Sequence, residues 1–294
     1  MKKKWEGQTR GGLFGYLFFV YLIRIFGVRF AYLFLGLVVI YFIPFAPEAT
    51  RSIWKYAREI CKYNIPKSVR LLFSNYYRLG QILIDKVALG MGKSNEYHFE
   101  FENYDEFLSV LNQDTGVVMI GAHVGYWEIG APFFDKYGKK INIVMFDNEH
   151  QRIKRVLERH SQAQDFKIIP VNKDSLAHVF AITKALSEHE YVCFQGDRFV
   201  RDEKLLESSL LGKNAKFPLG PFLLASKMKT PVVFYFAMRE PKRTYRFKFF
   251  VLDGLESVKG VRPEQSLLNA YTKALDEVLK TYPEQWFNYY DFWK

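Results

Sequence analysis

The chain has 294 residues, of which 49% are hydrophobic and 18% aromatic, and its formal net charge at pH 7 is +11. This length accommodates one large α/β domain with an appendage, or two domains. The basic excess favours an anionic partner, such as nucleic acid, an anionic bilayer, a phosphorylated substrate or an acidic carrier protein. The two cysteines, Cys61 and Cys193, lack metal-ligand spacing, so neither a disulfide framework nor a metal or cofactor site is predicted.

The first 64 residues predict a membrane-anchoring helical region. Apolar stretches cover 13–23 and 30–46, and the second is at the lower edge of the length that spans a bilayer. Basic residues flank the region on both sides, which disfavours a single pass. A hairpin in the membrane, or helices lying in one leaflet, is therefore favoured, with Arg24 and Arg29 near the headgroups. The alternative is a pair of buried core helices.

Residues 65–294 are predicted to form one α/β domain. Apolar residues at helical spacing cover 69–90, and an alternating strand covers 96–103. Short apolar runs then alternate with helical stretches: the predicted strands are GVVMIG, INIVMF, KIIPV, YVCFQG, PVVFYFA and YRFKFFVL, and the predicted helices are 149–161, 175–188, 219–229 and 263–281. This alternation indicates an α/β fold with a mainly parallel central sheet flanked by helices.

A histidine and a glutamate five positions apart follow the first buried strand, in GAHVGYWEIG (121–130). Ligands of α/β folds bind beyond the carboxyl ends of the strands, and Gly125 permits a tight turn there. His123 must lie in this turn for its ring to fold back toward Glu128. The Glu128 carboxylate would then fix the imidazole tautomer and leave the other ring nitrogen as a base. The alternative is a capping histidine with an exposed first-turn glutamate.

Four blocks of the chain together resemble a known family. GAHVGYWEIG resembles the His-x4-Glu block of the lysophospholipid-acyltransferase superfamily, in the branch of the late lipid A biosynthesis acyltransferases (lauroyl- and myristoyltransferases). GDRFVRDE (196–203) is similar to the second polar block of that family. KFPLGPFLLASKMKTPVVFYFAMRE (216–240) resembles its aromatic–Pro–x–Gly segment, helix and strand, and YPEQWFNYYDFWK (282–294) resembles its closing segment.

Two departures from the family pattern bear on the acceptor. Tyr126 stands where the family usually has asparagine, and NYYDFW replaces the usual basic ending. Both features resemble a Bacteroidetes-type relative. Such a relative would acylate an ornithine- or glycine-type aminolipid, or an aryl-polyene lipid, instead of a lipid A precursor.

The resemblance implies acyl transfer from a thioester, carried by acyl carrier protein or coenzyme A, to a hydroxyl of a membrane lipid. It implies a location at the cytoplasmic face of the bacterial inner membrane. His123 would be the base and Glu128 its orienting carboxylate, with backbone N–H groups around Gly125 as donors to the oxyanion. The residues expected to bind substrate are Gly125, Trp127, Arg155, Arg159, Asp197, Arg198, Phe217 and Gly220.

Competing chemistries lack their sequence signatures. Cys193 lies in mid-strand, where a buried cysteine is unreactive. The chain has no G-x-S-x-G elbow, no phosphate-binding Gly-Lys-Ser/Thr loop and no dinucleotide fingerprint. Its basic residues are dispersed, without a helix-turn-helix or base-stacking block, so nucleic acid is not an expected partner. A non-catalytic lipid-binding protein of the same fold, or a hydrolase that uses the same dyad, are the alternatives.

Overall fold

The computed structural model describes residues 12–130, 140–146, 166–171, 176–199, 204–252 and 260–293. A seven-stranded sheet is built from β1 (His98–Glu102), β2 (Val117–Gly121), β3 (Ile141–Phe146), β4 (Phe166–Val171), β5 (Tyr191–Gln195), β8 (Val232–Glu240) and β9 (Thr244–Leu252). A separate antiparallel hairpin joins β6 (Leu205–Leu210) to β7 (Lys213–Pro218). The helices are α1 (Gly12–Phe45), α2 (Pro47–Lys55), α3 (Ile65–Gly90), α4 (Tyr104–Leu111), α5 (Ala177–Ser187), α6 (Leu219–Lys227) and α7 (Pro263–Thr281).

The sheet has the order β1–β9–β8–β2–β5–β3–β4. Strands β8, β2, β5, β3 and β4 are parallel, whereas β9 is antiparallel to β8 and β1 follows the direction of β9. All five residues of β2 are buried, which explains its continuous apolar run. The prediction of a mainly parallel α/β sheet flanked by helices is confirmed.

Two features of the fold differ from the sequence prediction. Helix α3 begins at Ile65 instead of residue 69, because the Asn64 side chain accepts a hydrogen bond from the Lys67 N–H (3.1 Å) and caps the helix. The β6–β7 hairpin was not predicted. Its turn is Leu211–Gly212, with positive φ angles of 51° and 77°, and a two-residue turn ending in glycine is the local signal that would have indicated it. The predicted helix 149–161 lies outside the described residues.

Helix α1 is a helical hairpin. By composition Leu17–Phe45 is apolar enough to cross a membrane, with a mean hydropathy of 2.1. Gly27 interrupts it with φ 81° and ψ 171°, and the rings of Phe18 and Phe34 lie 5.1 Å apart. These rings would be separated by about 24 Å along a straight helix, so the two arms fold back on each other. The hairpin shape matches the prediction, and its relation to a membrane stays a prediction.

A buried polar cluster attaches the hairpin to the α/β domain. Arg239 of β8 is paired with Asp85 of α3 (2.7 Å), and both are almost completely buried. The Arg239 guanidinium also bonds to the Tyr32 hydroxyl (3.0 Å), which in turn donates to Asp85. Tyr97 and Tyr245 donate further bonds to the same carboxylate. The second arm of the hairpin therefore shares one core with the sheet, and the predicted division near residue 64 stays a prediction.

Candidate active site

His123 and Asp197 meet at the carboxyl edge of the sheet because of the register of β2 and β5. These strands are adjacent and parallel, and Gly121 pairs with Gln195. Two residues beyond this pair, the two chains place His123 opposite Asp197. The imidazole Nδ1 lies 2.7 Å from Asp197 Oδ1, and the His123 backbone N–H donates to Oδ2 (3.0 Å). The strand order therefore pairs two residues that are 74 positions apart in sequence.

Asp197 is fully buried and remains ionised. The Trp286 indole N–H donates to its Oδ2 (3.0 Å), in addition to the two bonds from His123. Burial alone would raise the pKa of Asp197. The charge and hydrogen bond of His123, the charge of Arg198 and the bond from Trp286 outweigh burial and lower the pKa from 3.8 to about 2.

The ionised carboxylate determines the tautomer of His123. A carboxylate without a proton only accepts hydrogen bonds, so Nδ1 of the imidazole must carry the hydrogen. Nε2 then has a free lone pair when the ring is neutral. The His123 side chain is 21% exposed, so the ring is held from one side and still reaches solvent. This arrangement has the chemistry of a general base.

The closing segment of the chain forms one wall of the site. Val124 and Trp286 form an antiparallel bridge. The Phe287 N–H donates to the carbonyl oxygen of His123 (2.9 Å), and the Gly125 N–H donates to that of Gln285 (2.9 Å). The turn that carries His123 is therefore fixed by main-chain bonds to residues more than 150 positions away.

Gly125 is required at its position by two independent constraints. Its φ angle of 61° is in the left-handed region, where glycine has no steric penalty. A Cβ atom here would also overlap the carbonyl oxygen of Ala237 and lie 2.9 Å from its carbonyl carbon. The backbone of the turn thus packs directly on β8, where the Tyr126 N–H donates to the Ala237 carbonyl (2.8 Å).

Glu128 does not hydrogen-bond to His123, so the predicted contact within the His-x4-Glu block is wrong. The Glu128 carboxylate bonds instead to the Lys86 ammonium of α3. Glu128 lies in a short 3-10 helix, Trp127–Gly130, while isolated bridges hold Val124 against Trp286 and Gly125 against Ala237. The imidazole nitrogen that was expected to meet Glu128 is occupied by Asp197. A catalytic role for Glu128 stays a prediction.

The backbone donors expected around Gly125 are already in use. The N–H groups of Gly125 and Tyr126 both donate to carbonyl oxygens of neighbouring segments, so neither is available to an oxyanion. Positive charge is present instead in Arg198 and Lys86. Arg198 donates through one terminal nitrogen to the Phe287 carbonyl (2.8 Å), and its Nε has no hydrogen-bond partner among the described residues.

The other predicted substrate residues lie in different environments. Trp127 is half-buried, and its carbonyl oxygen accepts the Tyr235 hydroxyl (2.8 Å). Phe217 is fully buried against Tyr271 and Phe292, and Gly220 is exposed at the start of α6. Their binding roles stay predictions. Arg155 and Arg159 lie outside the described residues.

The departures that suggested a different acceptor are in packed positions. Tyr126 is buried, and its ring lies 5.8 Å from that of Tyr245. In the closing segment, Trp293 stacks on Tyr56, with ring centroids 6.0 Å apart. Asp291 pairs with Lys55 (2.6 Å). These residues contribute to the core and its margin, so their identities say little about the acceptor.

Cys193 is buried in β5, as expected. Burial raises the pKa of its thiol to about 12, so the group is protonated at neutral pH and is a poor nucleophile. Within the described ranges, no group of three or more histidine, cysteine or acidic side chains is close enough to hold a metal ion.

Sequence reasoning did not identify Lys86 and Trp286 as site residues. Lys86 lies in an amphipathic helix where a lysine is ordinarily a solvated residue, and no local pattern connects it to Glu128. Trp286 belongs to the closing segment, which was recognised as a block but given no role. The available signal was the Pro-x-Gln-aromatic pattern of this segment, in which Trp286 follows Gln285.

Comparison with known proteins gives one family match. The model of the family described as bacterial lipid A biosynthesis acyltransferase matches residues 2–294, which is nearly the entire chain. Comparison with curated protein sequences gives no significant match.

Proposed function

The chain belongs to the bacterial lipid A biosynthesis acyltransferase family, and from this premise we propose that His123 is the general base of an acyl transfer to a membrane-lipid hydroxyl. The donor is an acyl thioester, carried by acyl carrier protein or coenzyme A. The observation that carries the proposal is the hydrogen bond between Nδ1 of His123 and the buried, ionised Asp197.

The acyl group passes directly from the thioester to the acceptor, without an acyl-enzyme, through a tetrahedral intermediate. Nε2 of His123 takes the proton of the acceptor hydroxyl as the hydroxyl oxygen attacks the thioester carbonyl carbon. The tetrahedral intermediate collapses as the carbon–sulfur bond breaks, and the imidazolium returns the proton to the leaving thiolate. Asp197 stabilises the imidazolium through its opposite charge and holds the ring in one orientation. Asp197 is thus a positioning residue, a role first expected of Glu128.

Glu128 and Lys86 are proposed to bind the acceptor. Each side chain is about one-third exposed, at 33% and 37% respectively, so solvent or substrate reaches the pair. A carboxylate accepts hydroxyl hydrogen bonds, and an ammonium binds phosphate or a developing oxyanion. Arg198, next to Asp197, is the second positive group proposed for the oxyanion.

The acceptor is proposed to be a lipid A precursor, in keeping with the family. The alternative acceptor is an ornithine- or glycine-type aminolipid or an aryl-polyene lipid. This alternative rests only on Tyr126 and the closing residues, and these residues pack in the core and at its margin. The cytoplasmic face of the inner membrane is the proposed location, because carrier-bound thioesters are made in the cytoplasm.

Acyl transfer by the purified full chain tests the proposal. Acyl carrier protein and coenzyme A thioesters are offered separately with each acceptor class, and the products are read by mass spectrometry. We expect an acylated lipid with the native chain and a loss of at least about 10³-fold for His123→Ala. His189 provides a matched control, because its Nδ1 bonds to Asp114 (2.6 Å) in an exposed His–Asp pair outside the site. Equal activity of His123→Ala and His189→Ala would refute the proposal.

A further inference from the structure

The hairpin formed by α1 exposes large apolar side chains on both of its arms. Residues 12–45 contain no acidic side chain and only two basic ones, Arg24 and Arg29. Its most exposed apolar side chains are Tyr21, Ile25, Phe26, Leu33, Leu37, Ile40, Tyr41 and Phe45, each more than half exposed. Exposed apolar patches of this extent are contact sites for a membrane or for another protein.

The lengths of the two arms argue against a membrane span. The hinge at Gly27 divides α1 into arms of about 22 and 27 Å. The hydrocarbon core of a bilayer is about 30 Å thick, so the first arm is too short to cross it and the second is at the lower limit of a spanning helix. A straight crossing would also require Phe18 and Phe34 to separate, although their rings are in contact.

The direction of the second arm argues against a hairpin that projects into the bilayer. This arm runs antiparallel along α3: near the hinge Tyr32 contacts Asp85, and farther along Leu35 packs closely on Gly80. The hinge therefore lies beside the carboxyl end of α3, which carries Lys86 and the ion pair with Glu128. If the hinge were at the bilayer centre, that part of the charged site would be there too.

The charges near the hinge also argue against a hinge at the bilayer centre. Arg24 and Arg29 flank Gly27, and both are exposed. An arginine at the bilayer centre costs about 2.5–3.5 kcal/mol or more, whereas at the headgroup level it interacts favourably with anionic lipid. Beyond the hairpin, exposed Arg51, Arg58 and Lys62 are interspersed with exposed Glu48 and Glu59. The positive charge that complements an anionic surface is therefore that of Arg24 and Arg29.

We propose that the hairpin lies flat in one leaflet of an anionic bilayer, with its exposed apolar face among the acyl chains and Arg24 and Arg29 at the headgroups. In this orientation the hinge and the Lys86–Glu128 pair lie at the same bilayer level. A lipid in that leaflet reaches the site by lateral movement past the hinge. The orientation goes beyond the proposed reaction and does not depend on its chemistry.

Spin-label depth measurements on the full chain test this orientation. Cysteine replaces Ile25, Leu33, Leu37 or Ile40, one at a time, in a Cys61→Ser background that keeps only the buried Cys193. Glu106→Cys, on the exposed start of α4, is the aqueous control. The protein is bound to vesicles of phosphatidylcholine and phosphatidylglycerol, and collision with oxygen and with a water-soluble nickel complex gives the depth of each label. We expect all four hairpin labels at one similar depth, about 5–10 Å into the boundary between headgroups and acyl chains.

The other outcomes overturn the proposal. A depth that increases steadily from residue 40 to residue 25 indicates a hairpin inserted tip first. A maximum at Leu33 indicates a single span, and aqueous exposure of all four labels indicates that the face binds something other than lipid. Arg24→Gln and Arg29→Gln are each expected to weaken binding to the anionic vesicles about fivefold, with no effect on phosphatidylcholine vesicles. Because depth is measured without turnover, failure here is distinguishable from failure of the proposed reaction.

Discussion

Trp286 donates its indole N–H to the same Asp197 carboxylate that holds His123. One oxygen of Asp197 thus bonds to the imidazole, while the other bonds to the indole and to the His123 backbone. With all of these donors in place, the buried carboxylate stays ionised and its geometry is fixed. The closing segment therefore acts on His123 indirectly, through the bond from Trp286 to Asp197.

Asp197→Asn is expected to reduce the transfer rate by about 10³–10⁴-fold, because an amide neither carries the counter-charge nor enforces the Nδ1–H tautomer. Trp286→Phe removes one donor only and is expected to cost about tenfold. The measurement is kcat as a function of pH. The pH dependence of kcat should differ between Asp197→Asn and the native chain, because the variant has no ionisable group at this position. Native activity in Asp197→Asn would contradict the assignment.

Glu128→Gln should behave differently from Asp197→Asn, since Glu128 bonds to Lys86 and not to the imidazole. We expect kcat/KM for the acceptor to fall about 10–100-fold, the scale of one charge-assisted hydrogen bond, with the pH profile unchanged. Lys86→Met should give a similar loss, and the double variant should be no worse than either single one. Stability should change by less than about 1 kcal/mol, because both side chains are partly exposed. Fully additive losses would show that the two residues act separately.

The stability of the protein is expected to fall between about pH 4 and pH 2, because of Asp197. Its pKa is lowered in the folded state, to about 2 from 3.8. The stabilisation is therefore complete above the unfolded pKa and is lost as the pH falls through the folded one. The contribution is about 2 kcal/mol. Urea unfolding at pH 6 and pH 3 measures roughly half of this loss, and Asp197→Asn should show a smaller difference between these pH values than the native chain.

Gly125→Ala is expected to reduce stability by about 2–5 kcal/mol, from left-handed backbone strain and from overlap with the Ala237 carbonyl. Gly212→Ala is the matched control. Gly212 also has a positive φ angle, but a Cβ there meets no atom within 4 Å, so only the strain of about 1–2 kcal/mol remains. Thermal and urea unfolding of both variants give the comparison. Equal losses would show that the close approach to β8 is unimportant.

Arg239→Met is expected to destabilise the protein by about 3–5 kcal/mol, because it leaves Asp85 buried without its counter-ion. The double variant Asp85→Leu with Arg239→Met removes both charges and should recover most of that loss. Unfolding in urea gives the free energies. If the double variant is as unstable as the single one, the tyrosines that donate to Asp85 are the more important partners.

Local sequence patterns predicted much of the fold, and they also placed His123 at the carboxyl end of a buried strand. They could not pair His123 with Asp197, because that contact depends on β2 and β5 being neighbours although β3 and β4 separate them in sequence. Lys86 presents the same difficulty, since it comes from a helix 42 residues before Glu128. Glu128 is close to His123 in sequence, whereas the strand order determines that the carboxylate bonded to the imidazole is that of Asp197.

The main-chain bonds from Gln285 and Phe287 to the His123 turn have a consequence for biosynthesis. Translation must reach these late residues before the turn acquires its wall and Asp197 its indole donor. The apolar hairpin precedes these residues in the chain, so in the proposed orientation it would engage lipid before the His123 turn is fixed. On the proposed mechanism, a nascent chain that has not yet reached Gln285 and Phe287 lacks the bonds that fix the His123 turn, so it would not transfer an acyl group.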